Sequence, residues 1–457
     1  MISQREKIRL EEREVRPLPL LAPREVFTKM FLQRARGVLC APAIIRTSPE
    51  SYDDVKKQIS SMGLVVRCEM RLFNMIALNI PTSAVNEIAG IPGVLKVYYN
   101  QDVGVPEFPI SYTESFPLTL IDTERLQRLP FFQRGFREDK LVDVVPTSVS
   151  RKVVEADIAD SVGVTGTGVK IAVIDTGVSH FNPQTAGIPC KTITTERKDS
   201  SGHSTHCIST AVGSEATYNG LVCVGVAPGA KVSALAIKAL STPIGMGKSS
   251  DIIKAMEYAF LEGCKVVSMS LGSSECQSTE PDCVGCPTCE AVKTLTDAGI
   301  IVVVAAGNSG EGGTIGCPGC SPSALTVGAI DSRTGELADF SSRGPTHDGR
   351  VKPDVVAVGK NVYSGTSYGS FCDGLDKRPD GFVGISGTSM STPHVAGLCC
   401  LVVELFNKNG YNVTTEDIKK IMEINADYIK TNDVGWGTPR FSMFQKIAFA
   451  QVGGMRV

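Results

Sequence analysis

Histidine is scarce in this chain: His180, His203, His206, His347 and His394 are the full set. Any side chain that must take up a proton near neutral pH is drawn from those five. Net charge is nearly absent as well. The balance of -2 at pH 7 gives no sign of a nucleic-acid or anionic-membrane partner. No apolar run reads as long enough to span a bilayer. The stretch from Met1 to Arg36 is charged and broken by prolines, without the charged-then-apolar pattern of a secretory leader. The expectation is a protein that stays inside the cell or leaves by a route the sequence does not display.

What the chain has in quantity is glycine, 45 residues, and cysteine, 15 residues. Glycine at that level predicts many tight turns and close backbone approaches. The cysteines are not a small-scaffold framework, because 457 residues can bury a core without one. Apolar content of 42% and charged content of 21% are ordinary for a soluble globular protein of two or three domains.

Taken in order, residues 1–40 read as a polar arm whose charge run is a solvated face. Residues 41–103 read as a small βαββαβ domain of the ferredoxin-like, α+β kind. In it, Tyr52, Val55 and Ile59 recur at helical spacing after the cap Ser48-Pro49, and Gly63 stops the run. Residues 104–150 carry five prolines and form a long connector, the expected processing region. From 151 to 457 apolar strands alternate with helices, which predicts a mostly parallel sheet covered on both faces, an α/β three-layer fold. Asp175, Ser270 and Asn308 fall at carboxyl ends of predicted strands, where such sheets keep their sites.

The organising stretch is Gly384-Ile385-Ser386-Gly387-Thr388-Ser389-Met390-Ser391-Thr392-Pro393-His394. It delivers Ser389 to the start of an apolar helical run, near the positive end of the helix dipole. A nucleophilic serine needs a base, and the base needs an orienting carboxylate. His203, in Gly202-His203-Ser204-Thr205-His206, is the best base candidate, and Asp175 the best carboxylate. Asn308, after Ala305-Ala306-Gly307, can aim an amide donor at an oxyanion, with the Ser389 N–H as a second donor. Each motif has an ordinary alternative: helix cap for Ser389, turn former for Asp175 and Asn308, and a metal pair for His203 with His206. Packing histidines are the expectation for His206 and His394.

Together, in the order Asp, His, Asn, Ser, these stretches resemble the subtilisin-like serine proteases, the subtilases. The likeness covers about 150–452. It includes Gly225-Val226-Ala227-Pro228, Phe340-Ser341-Ser342-Arg343-Gly344-Pro345 and Lys352-Pro353-Asp354. The resemblance implies Asp175, His203 and Ser389 as the triad and Asn308 as the oxyanion donor. It implies Ser270-Leu271-Gly272 as the backbone strand that pairs with substrate, and Lys248-Ser249 as the opposite rim. Ala305, Ala306, Gly307 and Gly316 would wall the specificity pocket, which carries no charge and so favours an apolar or small residue before the cut. Residues 41–103, most closely at Gly90 to Val97, are similar to the family's propeptide, which acts as intramolecular chaperone and inhibitor. Polypeptides would be the substrates and the chain's own propeptide its partner.

The chain departs from the family in places. Ser204 stands where glycine is usual, and Val358 where proline is usual. Gln184 replaces a carboxylate of the family's calcium site, so calcium would bind more weakly, through Asn219 and loop carbonyls. Cys276, Cys283, Cys286 and Cys289 crowd an insertion, and Cys317 and Cys320 lie beside the pocket floor. The pairs Cys283/Cys286 and Cys317/Cys320 have zinc-knuckle spacing; disulfides and free thiols are the competing readings. No cofactor is needed for the chemistry. The function expected is a serine endopeptidase made as a zymogen that processes itself. The alternative is a silent or self-cleaving-only protein of the same fold acting as an interaction module.

Overall fold

The computed structural model describes residues 40–105, 144–194, 199–241, 244–273, 281–373, 381–426 and 429–452. All of the expected arm except Cys40, most of the expected connector, and Cys276 lie outside them. The chain divides into two units after Gln101, whereas the sequence reading ended its small domain at residue 103.

In the first unit the strands Cys40–Thr47, Val66–Met70, Met75–Pro81 and Val94–Tyr99 form one antiparallel sheet. The first strand is central, between the third and the fourth, which is the split βαββαβ arrangement. The helix Tyr52–Ser61 buries Tyr52, Val55 and Ile59 against that sheet. Burying a Val or Ile side chain fully contributes about 1.5–3 kcal/mol. Gly63, with φ 74°, ends the helix in a left-handed conformation that glycine adopts without penalty.

The second unit is an α/β fold around seven parallel strands. Their order is Val355–Val358, Leu325–Ile330, Ile301–Ala305, Val266–Met269, Ile171–Asp175, Ala234–Lys238 and Cys190–Thr192. Every residue of the five inner strands is buried, as a sheet covered on both faces requires. The helices His203–Val212 and Thr388–Lys408 pack on one another and on the sheet, and so do Ser249–Leu261 and Pro287–Asp297. Strand order reverses between Ile171–Asp175 and Val266–Met269, so a crevice opens at their carboxyl ends.

Two sequence expectations need correction. Thr388–Lys408 is, by length and composition, apolar enough to cross a membrane, although no run had read that way; its 18-residue apolar window is wholly buried within the protein. The strand Asp102–Gly104 belongs to the second unit. It pairs antiparallel with Met246–Lys248 on one side, and Gly104 bridges Gly272 on the other.

Candidate active site

Asp175 is the last residue of its strand, and His203 is the first of its helix. Both are fully buried. Nδ1 of His203 lies 2.9 Å from each Asp175 carboxylate oxygen. Burial alone would lower the imidazole pKa. The Asp175 charge and the Cys207 sulfur more than reverse that and hold it well above 6.5.

Ser389 is the second residue of the helix Thr388–Lys408 and is 2% exposed. Its hydroxyl donates to the Ser270 carbonyl at 3.3 Å. Pro393 lies four residues on and has no N–H, so the Ser389 carbonyl loses its intrahelical donor. The Ser270 hydroxyl donates to that carbonyl at 2.9 Å and the Cys207 thiol at 3.4 Å. Cys207 also lies 3.9 Å from His203 Nδ1, so it touches both the Ser389 backbone and the His203 ring.

Asn308 is oriented by its carbonyl end. Its Oδ1 accepts from both the Thr388 N–H and the Thr388 hydroxyl at 2.9 Å. The Nδ2 donor is thereby turned toward Gly387, where a Cβ would lie 3.1 Å away. The Gly307 N–H donates to the Thr388 hydroxyl at 3.1 Å. This ties the expected pocket wall to the residue before the nucleophile. Leu271 is fully buried, and Gly272 exchanges two backbone hydrogen bonds with Gly104, at 2.9 and 3.1 Å. Gly316 accepts from the Cys320 N–H at 2.9 Å, and Gly319 stands so close that a Cβ there would meet the Ala305 oxygen at 2.8 Å. Ala305, Ala306 and Gly316 thus belong to one tight cluster of backbone.

Sequence reasoning missed Asp199. Its carboxylate accepts from the Thr176 and Thr205 hydroxyls and from the Gly202 and Thr205 N–H groups. It caps the His203 helix and ties it to Thr176, the residue after Asp175, 23 positions earlier in the chain, a link no local motif displays. Burial pushes its carboxyl pKa up. Sequence reasoning gave Cys207 no part in the site either. His206 and His394 are packing histidines: His206 Nε2 lies 3.0 Å from the Val362 oxygen, and His394 is held between Met390 O and the Ser150 hydroxyl. Burial drives their pKa values down to about 3 and about 4. Ser204 needs no glycine-like freedom, because it sits in the first helical turn with its N–H on the Thr176 hydroxyl.

The calcium site implied by the resemblance does not fit these residues. Gln184 Oε1 accepts from Gly365 N–H at 2.8 Å, and its amide donates to the Ser214 oxygen at 3.2 Å. Asn219-Gly220 form the tight turn of a hairpin between Ala216–Tyr218 and Leu221–Cys223. The carboxamide ties together chain that an ion would otherwise hold.

A buried carboxylate beside a helix-borne histidine, with a helix-start serine whose carbonyl meets the same Cys207 thiol, is a constellation suited to acyl transfer. Comparison with known proteins agrees. The model of the subtilase family matches residues 166–437. The chain belongs to the subtilase family. It is 35% identical over 293 residues to the serine protease AprX of Bacillus subtilis, covering 59% of this chain and 63% of that protein. It is 36% identical over 266 residues to subtilisin Savinase of Lederbergia lenta, covering 56% of this chain and 84% of that one. To the M-protease of Shouchella clausii it is 33% identical over 302 residues, covering 64% and 69%. The chain thus spans less than two thirds of AprX and more of the other two. The subtilase match begins at 166, so residues 40–101 owe nothing to it.

Proposed function

We propose that this subtilase is a serine endopeptidase made as a zymogen, cutting its own chain first and other polypeptides afterwards. In this reading the Ser389 hydroxyl leaves the Ser270 carbonyl, gives its proton to His203 and attacks the scissile carbonyl carbon. Asp175 fixes the imidazole tautomer and stabilises the imidazolium. Asn308 Nδ2 and the Ser389 N–H, which lies in a first helical turn without intrahelical acceptors, receive the oxyanion. Collapse of the tetrahedral intermediate expels the amine, which takes the proton from His203. Water, activated by the same histidine, then hydrolyses the acyl-serine. Ala305, Ala306, Gly307 and Gly316 would take an apolar or small side chain before the scissile bond.

The observation that carries the zymogen reading is the strand Asp102–Gly104. It lies between Met246–Lys248 and Gly272, the two edges expected to grip substrate, and Val105 N–H donates to the Gly245 oxygen at 2.9 Å. This is β-augmentation by the chain's own segment. Its antiparallel register runs from Gly272 toward Ser270, whose carbonyl holds the nucleophile. The cut is therefore expected within the few residues after Val105, much earlier than most of the connector. The chain up to that cut, including the strand Asp102–Gly104, would then be the propeptide that assists folding and inhibits.

Intact mass against time, on the full chain and on Ser389→Ala, tests this. Splitting of the unmodified chain alone, shortly after residue 105, is the expected result. If neither splits and a small peptide is not turned over, the enzyme reading fails. If the chain splits once but never turns over added peptide, the self-cleaving-only alternative takes its place.

A further inference from the structure

Away from the triad, sulfur is concentrated in one place. Cys283, Cys286, Cys289, Cys317 and Cys320 are all buried, and with Ala306 and Ile315 they make a small core of their own. Sulfur separations are 2.9 Å for Cys286–Cys317, 3.3 Å for Cys283–Cys320, 3.5 Å for Cys317–Cys320 and 3.9 Å for Cys289–Cys320. The Cys289 sulfur lies within 4.8 Å of both the Cys283/Cys320 pair and the Cys286/Cys317 pair. The sequence reading had left Cys289 outside its candidate ligand set; the structure sets it among them.

Two features favour thiolates around an ion over a merely apolar cluster. Four sulfurs bound tetrahedrally to zinc at about 2.3 Å stand about 3.8 Å apart; Cys317–Cys320 and Cys289–Cys320 are close to that spacing, while Cys283–Cys320 and Cys286–Cys317 are shorter and would open around an ion. Donors also converge on the sulfurs. Arg350 Nη2 donates to Cys283 Sγ at 3.3 Å while its Nη1 donates to the Cys320 oxygen at 2.9 Å. The Thr288 hydroxyl lies 3.1 Å from Cys286 Sγ. Arg350 is itself held by Asp348, which also accepts from the Asp282 N–H. That is the second layer a metal centre uses to orient its ligands. The backbone is shaped to match: Asp282, Cys283 and Gly285 all have left-handed φ, at 55°, 56° and 94°, which turns Cys283 and Cys286 inward together.

We propose that this cage binds one soft divalent cation of the zinc class, with four of the five thiolates closing the tetrahedron. The ion joins the 281–289 insertion to the 315–320 loop. Ala306 is part of the same core, and Gly316 holds the Cys320 N–H. The ion therefore braces the wall and floor of the specificity pocket, a consequence that rests on the pocket assignment proposed above.

The test uses the full chain carrying Ser389→Ala, so that it is independent of turnover. Elemental analysis after purification and gel filtration is expected to give one zinc per chain. Cobalt exchanged into the same protein should show thiolate-to-metal charge-transfer absorption. Arg350→Ala should weaken the metal about 10- to 100-fold. Cys317→Ser should lose it, and Cys399→Ser, buried elsewhere, should keep it. Should Cys317→Ser fail to fold, the cobalt spectrum of the unaltered cage still decides. Alkylation mass spectrometry of the denatured protein separates the failures. A metal-free chain with Cys283–Cys320 and Cys286–Cys317 disulfides overturns the proposal, and so does a metal-free chain whose thiols all alkylate.

Discussion

At the scale of single residues, the proposed mechanism makes the pair Asp175 and His203 set the pH behaviour. Burial works against the imidazolium, and the neighbouring carboxylate works for it more strongly. The base must be neutral to accept the Ser389 proton. Activity of the released enzyme should therefore fall as pH drops through a value above 6.5. Stability runs the other way. A raised folded-state pKa contributes stability that is complete below the unfolded value and is lost as pH rises through the folded one. Asp175→Asn removes the carboxylate. It should lower kcat roughly 10,000-fold and move the acid limb of kcat/KM to lower pH. A pH–rate profile of both proteins measures this. An acid limb at or below 6.5 in the unmodified enzyme contradicts the account of this pair.

At the scale of elements, the nucleophile's helix carries a flaw at its second residue. Pro393 strips the Ser389 carbonyl of its helical donor, and Ser270 and Cys207 replace it. In the proposed mechanism Ser270 thus has two parts: its backbone would pair with substrate, and its hydroxyl holds the Ser389 carbonyl. Ser270→Ala should cost about 1–3 kcal/mol in denaturant midpoint stability, because a buried acceptor keeps only the weaker thiol. It should lower kcat with KM little changed, and Ser270→Thr should restore much of both. Unchanged kcat and KM in Ser270→Ala would show that only the backbone of Ser270 matters. Here the limits of reading the sequence are visible. The strand Ile171–Asp175, the helix opening at His203 and the Thr388-Ser389 turn were legible because each is a short, local pattern. The small unit's βαββαβ order was legible for the same reason. The roles of Asp199 and Cys207 were not. Cys207 meets the Ser389 carbonyl from 182 positions away, and no local spacing marks such a contact. The thiol cage was half legible: the two Cys-x-x-Cys spacings showed, but the place of Cys289 between them depends on how a helix and two loops pack.

At the scale of the whole molecule, the proposed function makes one short strand govern the order of events. Asp102–Gly104 lies between Met246–Lys248 and Gly272, and where those are the substrate edges the chain's own segment has to be cut and leave first. Its hold is mainly backbone, with one side-chain tie from Lys248 to Asp102 at 2.6 Å. That tie is partly exposed and contributes little, on the order of 0–1 kcal/mol. Gly104→Pro removes the N–H that reaches the Gly272 oxygen and leaves the rest of the sequence alone. One lost hydrogen bond of about 1 kcal/mol should slow the first cut roughly 3- to 10-fold. Once processing is complete the substitution has left with the propeptide. The mature enzyme should then turn over a small peptide at the unmodified rate. Mass against time for the cut, and peptide hydrolysis afterwards, separate the two stages. An unchanged first cut would mean that this strand is not how the chain presents itself to Ser389. A slow first cut followed by normal turnover would tie the groove, the strand and the nucleophile into one sequence of events.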